Sequence, residues 1–340
     1  MFRLGLYHSF NSSFTGFQLD ALRYKNLYQT QRNKYIYCYK SVLYVKNTVA
    51  YSNFYRDLYL CPRLVRKLMY TTLTLPTVIK TTHHIKSANL KREVEIEIFS
   101  PDNLLGNERV NLLLLNDGQD LAQMNIEEML NSLYAKWSIE PTVVIGIKAS
   151  NERILEYGIA GKPDFKKRGA KADAYTDFII KELMPFVQSE VDVTINGKRA
   201  FAGFSLGGIT AFDIAWNHDN YFDAVGVFSG SFWWRKKDLS AGYTDDDRIV
   251  HEMIRDTKAN PAVKFWLMTG TNDELADRNH NFIIDSIDDT IDVVKELMKK
   301  GYQRPHDVFY YEMVGGKHDV PTWAKAMPKF LEWAFPKKGI

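Results

Sequence analysis

The 340-residue chain is poor in cysteine, and both of its cysteines, Cys38 and Cys61, lie ahead of residue 69. Two such residues make no disulfide framework, and the cysteine-free remainder fits a reducing, cytoplasmic setting. No apolar run approaches the roughly 20 residues that a membrane-spanning helix needs. The first 68 residues also lack the apolar core and small-residue cleavage site of a secretory signal, so no membrane partner is expected. Acidic residues are scarce at one end: residues 1–68 hold 11 of the 44 Lys and Arg but 2 of the 41 Asp and Glu. The net charge of +3 thus conceals a basic segment ahead of a mildly acidic one. Nothing in 69–340 suggests a basic groove, which argues against a nucleic-acid partner.

What is present is the composition of a soluble globular protein, 45% hydrophobic and 25% charged. Ten of the 19 tyrosines fall before residue 69, and no sustained hydrophobic period runs through that part. The break in composition just before Met69 predicts that residues 1–68 are a spurious or poorly ordered extension. Upstream sequence translated ahead of a true start at Met69 is preferred to a disordered basic tail or a targeting segment. Residues 69–340 read as one domain, with no internal repeat or linker.

Within that domain, strand and helix patterns alternate. Thr71–Val78 and His84–Ser87 are two β-rich pieces, and Lys91–Phe99 sets Val94, Ile96 and Ile98 against Glu93, Glu95 and Glu97, a half-buried strand near an antiparallel edge. Arg109–Leu115 and Thr142–Lys148 are continuous apolar runs, hence strands buried on both faces. Further strands are expected at Ala224–Phe228, Val263–Met268 and Asp307–Val314. Helices are expected at Met124–Trp137, Lys171–Val187, Asp245–Asp256, Asp285–Lys300 and Pro321–Phe335. Such alternation predicts an α/β fold with a mostly parallel sheet covered on both faces.

The organising stretch is Gly203-Phe-Ser205-Leu-Gly207, a G-x-S-x-G between an apolar run and an amphipathic segment, Ile209–Trp216. Strand, sharp turn and helix in that order make a nucleophile elbow. Glycines at 203 and 207 leave room for the strained turn, and the helix N-terminus offers N–H groups to a developing oxyanion. A serine so placed needs a base, and the base needs an acid to orient it. Both are expected past later strands. Asp273 follows Val263–Met268, with Glu274 and Asp277 as rivals in the same loop. His318 follows Asp307–Val314 in a Gly-Gly-x-His loop. The oxyanion would meet the main-chain N–H groups of Leu206 and Gln119, the latter from the loop after Arg109–Leu115.

Two other features carry a plain and a functional reading. Trp233 and Trp234 follow a strand end, either as an aromatic wall for substrate or as ordinary core. Residues 277–288 place oxygen-bearing side chains at the spacing of a calcium loop, but Phe282 stands where the turn asks for Gly, and no metal is assigned.

The residues from about Met69 to Phe335 resemble the esterase family of the α/β-hydrolase superfamily that includes enterochelin, feruloyl and acetylxylan esterases, S-formylglutathione hydrolase and the mycolyl transferases. Five pieces carry the likeness: Leu114-Leu-Asn-Asp-Gly118-Gln, Gly203-Phe-Ser-Leu-Gly-Gly208, Val227-Phe-Ser-Gly-Ser231-Phe-Trp-Trp, Gly270-Thr-Asn-Asp273-Glu and Gly315-Gly-Lys-His318 with Trp323. The elbow is generic to the superfamily, whereas the five in order are specific to this group. The resemblance implies the α/β-hydrolase fold, a cofactor-free serine esterase acting on a small-molecule ester, and often no large helical lid. It maps nucleophile, acid and base onto Ser205, Asp273 and His318. Residues 1–68 match nothing in the family, and Phe282 stands where relatives tend to carry Gly. The expected activity is hydrolysis through an acyl-enzyme. An acyltransferase, or an idle binding protein on the same fold, is the alternative. Neither the ester nor the oligomeric state is legible.

Overall fold

The structure, a computed structural model, describes residues 76–337 except 105 and 107, together with the main chain of two short upstream strands. Those two, β1 (Tyr24–Gln29) and β2 (Tyr35–Lys40), pair antiparallel with Tyr24 opposite Lys40. The rest of the expectation for residues 1–68 lies outside the described residues. By its contacts the chain divides into Met1–Thr74 and Leu75–Ile340.

The second unit is built on an eight-stranded sheet. Its strands are β3 (Thr77–Ser87), β4 (Arg92–Asp102), β5 (Asn111–Asn116), β6 (Thr142–Ile147), β7 (Arg199–Phe204), β8 (Ala224–Phe228), β9 (Lys264–Asn272) and β10 (Val308–Lys317). They lie in the order β10-β9-β8-β7-β5-β6-β4-β3. β3 and β4 run antiparallel to their neighbours, and every other pairing is parallel. This is the α/β-hydrolase arrangement. The two β-rich pieces expected around 71–87 are, among the described residues, one edge strand from Thr77.

The apolar strands are explained by what covers them. On β5, Leu112 and Leu114 pack on one face of the sheet, while Leu113 and Leu115 pack on the other. One side is covered by α1 (Ile126–Ala135) and, at the chain's end, Val320–Ala334. Between β6 and β7 come the single turn α2 (Arg153–Glu156) and α3. The latter is a rod made of Ala172–Asp177, a π-helical stretch Phe178–Leu183, and Met184–Glu190. The rod covers the opposite side together with α4 (Leu206–Asn217), α5 (Ile249–Asp256) and α6 (Asp285–Lys299). The helix at Val320–Ala334 is α7.

Two expectations change. The segment after the elbow is not amphipathic: every residue from Leu206 to Trp216 is buried, as for a helix enclosed on all sides. The expected helix at 245–256 is a short 3₁₀ turn, Asp245–Asp247, ahead of α5. A capping box on Thr244 and Asp247 closes the start of that turn, and the extended backbone at Arg248 (φ −73, ψ 116) separates it from α5.

Parallel strands leave their carboxyl ends at one rim, and a crevice opens where neighbouring connections leave to opposite faces. In this sheet β5 sits between β6 and β7, so the loops after β5 and β7 meet at that point.

Candidate active site

Ser205 is the one residue between β7 and α4, and it is held at φ 54, ψ −120. A non-glycine residue there costs about 1–3 kcal/mol and persists only where its surroundings enforce it. Here the Ser205 N–H donates to Phe228 O at 2.9 Å. Its carbonyl accepts from the Gly208 N–H at 3.1 Å and the Ser231 N–H at 3.2 Å. A Cβ on Gly203 would run into the carbonyl of Gly207, and one on Gly207 would stand 2.8 Å from Asp117 Oδ2. Both glycines are therefore demanded by close approach. Leu206 opens α4, so its N–H has no acceptor one turn earlier in the helix.

The loop after β5 is fastened to this turn. Asn116 Nδ2 donates to Gly207 O at 2.8 Å, and the Tyr175 hydroxyl donates to Asn116 Oδ1 at 2.6 Å. Asp117 takes a left-handed conformation (φ 61), followed by the 3₁₀ turn Gly118–Asp120. Gly118 lies so close to β6 that a Cβ would stand 2.5 Å from the Gly146 carbonyl carbon. Gln119 is pinned by its side chain, which accepts from the Ala149 N–H and donates to Asp117 Oδ1. Its main-chain N–H, like that of Leu206, belongs to a first helical turn.

Arg153 is a site residue that the sequence did not flag. Its guanidinium donates to both oxygens of buried Asp117 at 2.7 Å, reaches Phe204 O at 3.4 Å, and lies over the Tyr157 ring at 5.0 Å. No motif announces it, because it opens the single turn α2 and its hydrogen-bond partners Asp117 and Phe204 lie 36 and 51 positions away. Its segment is anchored by Glu156, fully buried and held by Arg92 Nε and Nη2 at 2.7 Å each. Arg92→Met should leave that carboxylate unpaired and lower stability by about 3–5 kcal/mol. The loss should register as a lower urea midpoint at unchanged slope, and Arg92→Met with Glu156→Leu should recover much of it.

Asp273 follows β9 and is buried. It accepts from the Ser229 hydroxyl at 3.1 Å through Oδ1, while Oδ2 has no hydrogen-bond partner among the described residues. His318 follows β10, and its ring meets Trp323 edge-on with centroids 5.3 Å apart. Burial raises the Asp273 carboxyl above its ordinary value, against the Gly270 N–H, the Ser229 hydroxyl and the His318 charge. Burial also holds the His318 imidazole below its ordinary value. Asp273 opposes that shift, Arg153 adds to it, and Asp319 weakly opposes it. If His318 is the base, the acid limb of the kcat/KM profile lies below pH 6.5, and Arg153→Gln moves it upward by removing a positive charge. A pH–rate profile of both proteins checks the direction.

Ser205, Asp273 and His318 thus lie at the carboxyl-terminal ends of β7, β9 and β10. Among the described residues no hydrogen bond joins His318 to either of the others. The Ser205 hydroxyl instead rests 3.3 Å from that of Ser231, a residue of the Val227–Trp234 piece to which the sequence reading gave no role.

The two tryptophans separate. Trp234 is fully buried, with its indole donating to Lys162 O at 3.0 Å and its ring against Gly158 and Gly169, so it is core and presents no wall to substrate. Trp233 is only half-buried and carries the Arg168 guanidinium 4.5 Å from its ring centroid. In the 277–288 loop, Asp277 accepts from the N–H groups of Asn281 and Phe282, and Asp288 accepts from the side-chain amides of Asn279 and Asn281. The loop's carboxylates thus brace its own turn, and Phe282 adopts the left-handed conformation (φ 68) without glycine. A cleft lined by Leu112, Met184, Val191 and Arg199 opens at the other end of β5 and β7, away from Ser205.

Three similarities bear on this arrangement. Over 143 residues the chain is 26% identical to the uncharacterized protein YjcH of Bacillus subtilis, covering 41% of this chain and 56% of that one. The enterobactin esterase of Shigella flexneri superposes with a TM-score of 0.58 at 19% identity, over 76% of this chain and 60% of that one. A ferulic acid esterase gives 0.57 at 16% identity, over 76% and 98%. The chain therefore spans under two thirds of the first two and nearly all of the third. The family model described as "Putative esterase" matches residues 87–334, which is most of the chain and holds the elbow and both loops facing it. The chain belongs to that esterase family.

Proposed function

We propose that the protein is a serine carboxylic-ester hydrolase working through an acyl-enzyme. The observation that carries this reading is Ser205, held in a strained turn at the N-terminus of α4, where the post-β5 loop is bonded to the elbow. Ser205 attacks the ester carbonyl. His318 takes its proton and returns one to the leaving alcohol, and Asp273 fixes the imidazole and steadies its charged form. The N–H groups of Leu206 and Gln119 receive the oxyanion. Water then attacks the acyl-enzyme, with His318 again as base.

In the unliganded state Ser205 leans on Ser231. Catalytic hydrogen bonds are often long before substrate binds, and Gly315 (φ 74) beside Gly316 marks an irregularity at the end of β10, directly before His318. Trp233 with Arg168 offers an aromatic and cationic surface just beyond Ser231. The fold neighbours include an enterobactin esterase and a ferulic acid esterase; what they share with this proposal is the ester bond, not one acyl group. No helix among the described residues is long and apolar enough to cross a membrane, and the cysteine usage suits a cytoplasmic setting.

The test is labelling with a fluorophosphonate probe, followed by peptide mass spectrometry. A single adduct on Ser205, with hydrolysis of short p-nitrophenyl esters, is the expected result. An unlabelled Ser205 in folded protein would overturn it.

A further inference from the structure

A string of polar groups runs behind the proposed acid and base. The Trp323 indole Nε1 donates to Ser229 Oγ at 2.9 Å, and Ser229 Oγ donates on to Asp273 Oδ1 at 3.1 Å. Ser229 is 1% exposed and stands at φ 49, directly after β8. Its N–H is tied to Met268 O on β9 at 2.7 Å, so its place is set relative to the strand that ends at Asp273. Trp323 stacks on Phe204, the residue before Ser205, at 4.9 Å and 15°, and meets the His318 ring on another side. One indole therefore touches the nucleophile's strand and the base, and reaches the acid through one hydroxyl.

We propose that Ser229 and Trp323 are positioning residues for this hydrolase, fixing the Asp273 carboxylate through Oδ1 so that Oδ2 stays open to the imidazole of His318. The inference rests on the ester-hydrolase reading and extends it. A buried indole N–H needs an acceptor, and a main-chain carbonyl would satisfy it. Here the acceptor is a hydroxyl whose own proton goes to a carboxylate, the stronger, charge-assisted kind of bond. A rigid carboxylate with one occupied oxygen presents the other in a single direction. Without the string it can turn, and His318 then loses the partner that selects its tautomer. The strained backbone at Ser229 is of the kind that collects at functional sites.

The experiment uses Trp323→Phe, which keeps a ring beside His318 and drops the donor, and Ser229→Ala, which removes the relay. Each is made in the wild type and in Asp273→Asn. Steady-state hydrolysis of p-nitrophenyl acetate is measured after circular dichroism confirms the fold. In the wild type each change should lower kcat by about 10- to 100-fold with KM held within about twofold, as expected when a reacting geometry is loosened. The pair together should be no worse than Ser229→Ala alone. In the Asp273→Asn background neither should lower kcat further, because no carboxylate remains to be oriented. Unchanged kcat for both single variants of an active enzyme would overturn the proposal alone. So would an equal proportional loss in the Asp273→Asn background, which marks a merely structural role. A wild type inactive on esters and unlabelled by the fluorophosphonate would overturn the hydrolase reading, and the proposal with it.

Discussion

Ser205→Ala should abolish ester hydrolysis, lowering kcat on p-nitrophenyl esters by on the order of 10⁵-fold while the circular dichroism spectrum stays that of the native protein. The size follows from what is removed. Without the hydroxyl there is no acyl-enzyme, and the reaction falls back on water attacking a bound ester. The amides of Leu206 and Gln119 still receive the oxyanion, and each such donor is worth about 10²–10³ in rate, so a residue of catalysis survives. The fold should survive too. The turn is held by main-chain bonds from Ser205 N–H to Phe228 and from Gly208 and Ser231 to Ser205 O, all of which alanine keeps. Among the described residues the hydroxyl itself has one hydrogen-bond partner, Ser231 Oγ at 3.3 Å. Loss of activity together with loss of structure would leave this account of the elbow wrong, as would turnover undiminished by the substitution.

The elbow was legible because its requirements are local. Gly203, Ser205 and Gly207 lie within five residues, and the close approaches that demand glycine are between those residues and the loop they touch. Strands β5 and β6 were legible for a related reason: burial on both faces writes an uninterrupted apolar run. α4 was misread because its polar-looking positions, Thr210 and Asp213, are buried and satisfied by partners elsewhere. Thr210 accepts from the Gly158 N–H, and Asp213 from the Ala160 N–H. Arg153 stayed hidden for the same cause, and Ser229, although it stands in one of the five pieces, showed no partner there. Arg153 meets Asp117 across 36 positions, Ser229 meets Asp273 across 44, and Trp323 meets Ser229 across 94. A single sequence carries no mark of such pairings until the topology brings β7, β8 and β9 side by side.

That geometry separates three acids the sequence left as rivals, and substitution should rank them. Asp273→Asn should lower kcat by about 10⁴-fold, the order seen when an amide replaces the carboxylate that selects a catalytic histidine's tautomer. Glu274→Gln should change kcat by no more than a few-fold, and Asp277→Asn likewise. The reasons are where each carboxyl is engaged. Asp277 accepts from the N–H groups of Asn281 and Phe282 and braces its own turn. Glu274 is raised by burial and then lowered by the N–H of Ser286, in the first turn of α6, with Asp285 and Asp289 as its main charged neighbours. It serves a helix end, where a negative charge is favourable. Asp273 alone of the three is bonded to Ser229 and feels the charge of His318 as an opposing influence on its titration. The His318 loop supplies the converse, since Asp273 is the largest influence raising the imidazole. Steady-state rates for the three variants decide the order: a greater loss in Glu274→Gln than in Asp273→Asn would move the acid one residue along the chain and detach Ser229 and Trp323 from it.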